Sequence, residues 1–170
     1  TALVPDLRVF LDVDDLTDIG SLEKLVDATD TIVVFLAGST LADGSERSDY
    51  MRSANCVREL RTAVDKAKPM VFVLETDPQH GGVSMDVHRR DCPEELRHAL
   101  DEHPIVPWFR VQIYLLVSMR LILSRVLDVE LRIPGELRTA PPLRPPAPGA
   151  FHLYVSPHNA GASAVAELLA

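Results

Sequence analysis

Cysteine is scarce in this chain of 170 residues: Cys56 and Cys92 stand alone, with no C-x-x-C pair and no histidine at metal-ligand spacing. A disulfide framework and a structural zinc site are therefore excluded, and reduced thiols in a cytoplasmic setting are expected. Aromatics are few, at 5%, with a single tryptophan. Basic clusters are missing too: the 17 Lys and Arg are dispersed in a chain of net charge −8 and pI near 5.1. That argues against nucleic acid as a principal partner, because phosphate binding needs clustered positive charge. The most apolar run, residues 113–127, is broken by Arg120 and Arg125. It falls short of the ~20 residues a membrane span needs, and no signal-peptide pattern is visible, so direct membrane insertion is not expected. Ser156 has no G-x-S-x-G around it, which removes the nucleophile-elbow reading of that loop.

What the chain does have is a repeated step of strand, loop and helix. Hydrophobic residues make up 46% and mean hydropathy is +0.07, enough for one packed core. Val9, Phe10, Leu11 and Val13 form a near-continuous run of β-formers, the pattern of a parallel strand covered on both faces. Asp12, Asp14, Asp15 and Asp18 crowd the segment after it, and Gly20 and Ser21 lead into a helix with Leu22, Leu25 and Val26 on one face. The acidic loop thus lies at the carboxyl end of a strand, the edge where open α/β sheets bind their ligands and partners.

The step recurs. Ile32 to Leu36 is a second buried strand, and 40–54 reads as a long polar loop. Asn55 reads as the N-cap of a helix over 56–68, with Val57, Leu60, Ala63, Val64 and Ala67 inward and Glu59 among the polar residues facing water or the loop edge. Met70 to Leu74 is a third strand, followed by a loop over 75–83. Pro93 opens a short helix, Ile105 to Phe109 is an edge strand because Pro107 has no N–H for a ladder, and a long helix follows from Val111 to Leu127. Residues 140–149, APPLRPPAPG, form an extended tether. Beyond it Phe151 to Val155 is one more strand and 162–169 a helix. The expected organisation is a main domain over 1–133, a Pro-rich linker over 134–150 and a strand-helix unit over 151–170.

The ordered set VFLDVDDLTDIGSLEKLV, TIVVFLAGSTL, SANCVREL, KPMVFVLETDPQHGG and IVPWFRVQIYLLVSMRLIL resembles the Toll/interleukin-1 receptor (TIR) domain, nearest the TIR-like modules of large algal and oomycete proteins. The resemblance covers Arg8 to about Leu127. It implies an α/β, flavodoxin-like three-layer fold with a central parallel sheet. It also shows a departure: the family's first strand and helix do not precede Val9. In the strand order 2-1-3-4-5 that strand is central. It is either missing, in a chain cut from a larger protein, or supplied by FHLYVSPHNAGASAVAELLA as in a circular permutation; the same unit also reads as the start of a second repeat.

By resemblance, the segment carrying Asp12, Asp14, Asp15, Ile19 and Gly20 is the BB loop, an interaction surface for other TIR domains in innate-immune signal transduction. Read from the residues alone, carboxylates at a strand end are also the pattern that holds Mg²⁺; the BB-loop reading leaves no metal and no cofactor expected. Glu59 matches the helix glutamate of TIR domains that cleave NAD. Such a carboxylate near the ribose hydroxyls would stabilise oxocarbenium character as the nicotinamide bond breaks. Two functions follow as expectations: an interaction module that self-associates, and an NAD+ nucleosidase with Glu59 catalytic and NAD as substrate. His80, His88, His98 and His103 share no ligand spacing and are expected at the surface.

Overall fold

The computed structural model describes residues 7–11, 22–128, 146 and 148–155. Their order is β1 (Val9–Leu11), α1 (Leu22–Asp27), β2 (Thr29–Leu36), β3 (Gly38–Thr40), β4 (Glu46–Ser48), α2 (Asp49–Arg52), α3 (Ala54–Asp65), β5 (Met70–Glu75), α4 (Met85–Asp91), α5 (Arg97–Glu102), β6 (Ile105–Trp108), α6 (Gln112–Val126) and β7 (Phe151–Val155).

Five strands form one parallel sheet in the order β1-β7-β2-β5-β6. The sequence of β2 explains its place near the middle. From Thr31 to Leu36 every residue is buried, so neither face of the strand meets water. Alternate side chains feed two cores. Val33 and Phe35 join Val71, Val73, Val106, Trp108 and the inner face of α6 (Met119, Ile122, Leu123). Ile32, Val34 and Leu36 join Phe72 and the apolar faces of α1, α3 and α5. Helices on both faces of a parallel sheet make this a three-layer α/β fold of flavodoxin-like order. Phe35 and Trp108 meet edge to face at 6.0 Å, and burying a side chain of that class contributes about 1.5–3 kcal/mol.

The last of the described strands lies second in the order. β7 pairs with β1 through Val9↔Leu153 and Leu11↔Val155, and with β2 through Thr29↔Phe151 and Val33↔Val155. β7 thus separates β1 from β2 within the sheet.

Several expectations are corrected. Residues 40–54 are not a featureless loop. Gly44, at φ +81°, and Asp43, whose Oδ1 accepts from Ser45 N, turn a β3-β4 hairpin, and the turn of helix α2 buries Tyr50 and Met51. The cap of α3 is Ser53, whose hydroxyl accepts from Cys56 N, rather than Asn55. That helix ends at Lys66, with Ala67 in the left-handed region, and Lys68 Nζ donates to the carbonyls of Asp27 and Thr29. The 75–83 loop contains a helical turn, Pro78–His80, capped by Asp77, and α4 follows it where no helix was expected. The expected acidic loop, most of the Pro-rich segment and the helix expected over 162–169 lie outside the described residues.

Candidate functional site

Of the site residues expected from the sequence, Glu59 is the one among the described residues; Asp12, Asp14, Asp15, Ile19 and Gly20 lie outside them. Glu59 sits in the second turn of α3. Its side chain belongs to the buried stripe Cys56, Glu59, Leu60 and Ala63, at helical spacing i, i+3, i+4, i+7. It is fully buried, which corrects the expectation that it faces water. The apolar periodicity of the sequence pointed at Val57, Leu60 and Val64. The structure rotates the inward face by about one position, leaving Val57 and Val64 half-buried. A buried carboxylate costs several kcal/mol of hydration unless its surroundings compensate, so its position is a built feature of the helix.

The arginines either side of it lean on other elements. Arg58 Nε lies 2.7 Å from Glu23 Oε1 on α1, and Arg61 pairs with Glu95. Both pairs are substantially exposed and contribute little energy, but they fix α3 against α1 and the turn before α5.

At the carboxyl end of β5, Glu75 is buried and its Oε2 accepts two hydrogen bonds from Arg110, 3.0 Å from Nε and 2.8 Å from Nη2. Its other oxygen accepts from Asp77 N at 3.0 Å. Asp77 then caps the following turn, and the Gln79 N–H and the His80 ring hold its carboxyl below the usual range. Gly38, the first residue of β3, donates to Gly81 O at 2.7 Å, which ties the start of the hairpin to the loop after β5.

A third polar cluster, missed in the sequence, joins the hairpin to α4. His88 is fully buried rather than at the surface, and its Nδ1 lies 2.7 Å from Ser48 Oγ. Burial pushes its pKa down to about 4, against the pull of Asp91 and Asp49, so the imidazole is neutral. Asp91 accepts from Ser48 N and from Arg90, and its carboxyl is held below the usual range, chiefly by Arg90. The segment MDVHRRD gave no warning, because its apolar residues are too few to show a helical period. His80 and His98 are exposed, as expected.

Among the described residues no group of three His, Cys, Asp or Glu could hold a metal ion, and no helix is long and apolar enough to cross a membrane. No family model, curated protein or solved structure matches the chain. The class is therefore set by its own architecture: an α/β protein with a parallel main sheet and a buried glutamate on α3.

Proposed function

We propose that the chain is a TIR-like signalling module that acts in the cytoplasm through protein interaction, self-association above all. The observation that carries this reading is the outer face of α6. Its inner face packs on the sheet through Met119, Ile122 and Leu123, while Tyr114, Leu116 and Val117 stand 56%, 61% and 48% exposed. Val111 and Leu121 extend the same apolar surface. Contiguous exposed apolar side chains on one helix are the mark of an interaction surface. No carboxylate occurs between Glu102 and Asp128, whereas Arg120 and Arg125 lie on the helix. The partner surface that fits is apolar with an acidic border, and a chain of net charge −8 offers such borders on a second copy.

The test is sedimentation of the full chain against Tyr114→Glu and Leu116→Glu. Both substitutions lie on the exposed face and leave folding intact. Loss of concentration-dependent association supports the reading, and unchanged association removes α6 as the interface. Asp15→Ala with Ile19→Ala tests the acidic loop in the same assay.

A second reading, NAD cleavage by Glu59, draws support from that side chain's burial in α3. A carboxylate withheld from water acts more strongly on a developing cation than a hydrated one. Nicotinamide release from NAD by the full chain, abolished by Glu59→Gln, is the expected result. Equal release from both proteins would assign the activity elsewhere.

A further inference from the structure

The geometry points to β7 as an exchangeable strand: the slot between β1 and β2 of one molecule accepts residues 151–155 of a second copy of this chain. The inference deepens the proposed self-association and rests on that reading for its biological setting.

Three observations carry it. First, β7 is bonded on both sides, to β1 and to β2, while among the described strands β1 pairs with β7 alone. Whatever occupies the slot therefore completes the sheet, and an empty slot would leave two strand edges with unpaired N–H and C=O groups. Those groups recognise backbone, so any copy of the strand satisfies them equally.

Second, the strand that fills the slot is joined to the rest of the fold by an unusually long connection. Helix-to-strand connections in α/β proteins commonly take two to six residues. Here residues 128–150 separate Leu127 from Phe151 and include Pro134, Pro141, Pro142, Pro145, Pro146 and Pro148. The covalent limit for 23 residues is roughly 80 Å, against a domain diameter of about 40 Å. The strand can reach its own slot or a neighbour's.

Third, the two sites differ only in chain connectivity, since the register Thr29↔Phe151 and Val9↔Leu153 is the same whichever molecule donates the strand. The balance is set by local concentration. A long tether presents its own strand at an effective concentration of about a millimolar, so isolated molecules close on themselves. Molecules gathered through the α6 face meet at comparable concentration, and exchange then converts a weak contact into one that must unfold to separate.

One experiment on the full chain tests this. Two populations carrying different fluorophores are unfolded together in urea, refolded at high concentration, then diluted. Exchange predicts dimers containing both labels that persist after dilution, and that form equally in Tyr114→Glu, which distinguishes failure of the α6 reading from failure of this one. Exclusively single-label monomers would overturn the exchange.

Discussion

The hydroxyl of Ser48 and Nδ1 of His88 lie 2.7 Å apart in a region sealed from solvent, and this contact is one of those that tie the β3-β4 hairpin to α4. Ser48 also caps α2 by accepting from Met51 N at 3.1 Å and donates its own N–H to Asp91 at 2.8 Å. One residue thus closes a helix, ends a strand and anchors both to a helix distant in sequence. His88 Nε2 has no hydrogen-bond partner among the described residues. A second proton on this ring would be a buried charge with an unused N–H.

The consequence is a dependence of stability on pH. The pKa of His88 falls from 6.5 to about 4 on folding. Above pH 6.5 the ring is neutral in both states and costs nothing. As pH falls below 6.5 the unfolded chain takes up a proton that the folded chain refuses, so stability declines until pH reaches about 4. The loss amounts to about 3 kcal/mol over that window. Urea unfolding at pH 7 and 4.5 measures it. His88→Gln keeps a group that can bond Ser48 and cannot titrate, so its unfolding midpoint should change much less over the same interval. A wild-type midpoint independent of pH would contradict this account.

Glu75 and Arg110 make the strongest polar contact at the carboxyl edge, two hydrogen bonds to one buried oxygen. Arg110→Ala strands that carboxylate and should cost about 3 kcal/mol, at the lower end for a broken buried pair because the guanidinium is a quarter exposed. Glu75→Gln made together with Arg110→Ala should recover much of the loss, since no charge is then buried and the oxygen that accepts from Asp77 N remains. Denaturant midpoints of the two single variants and the double variant decide the matter, and additive losses would argue against coupling.

The sequence discloses the layers of this fold more readily than its polar details. Runs such as Ile32–Leu36 are apolar on both faces, which identifies buried parallel strands without any knowledge of their neighbours. The runs do not by themselves order the strands; a place for Phe151–Val155 between β1 and β2 is one of the arrangements they allow. The hairpin and α4 were hidden because they are held by Ser48, His88 and Asp91, contacts between residues some forty positions apart that no local pattern records. Glu59 was visible as a candidate, but its burial was not. Burial depends on the rotation of α3 about its axis, which Tyr50 and the cap at Ser53 set together with the sheet: Tyr50 OH donates to Cys56 O at 3.2 Å.

Two glycines should respond very differently to the same substitution. A Cβ on Gly38 would collide with the carbonyl oxygen of Arg47 across the hairpin and lie 2.6 Å from Val83 Cγ2. Gly38→Ala must therefore push the hairpin off the strand ends, at about 3 kcal/mol. Gly44 has φ +81° and open space around it, so Gly44→Ala should cost only the conformational penalty of about 1 kcal/mol. Equal unfolding midpoints for the two variants would show that the hairpin does not press on Gly38.

Thiol reactivity separates local opening from global unfolding. Cys56 lies on the buried stripe of α3 and Cys92 follows α4, and both pack in the core on the same side of the sheet. Burial pushes the Cys92 thiol up to about 11, with nearby Arg97 pulling the other way, so almost no thiolate exists near neutral pH. Neither thiol should react with an aromatic disulfide reagent in the native protein, and both should react in urea. Under native conditions the residual labelling rate reports how often the core opens. If the β3-β4 hairpin and α4 open as a unit when His88 takes a proton, Cys92 should begin to react before Cys56 as pH is lowered toward 5, once rates are corrected for thiolate content. Labelling of the two thiols at a common rate at every pH would show instead that this side of the sheet opens only by global unfolding.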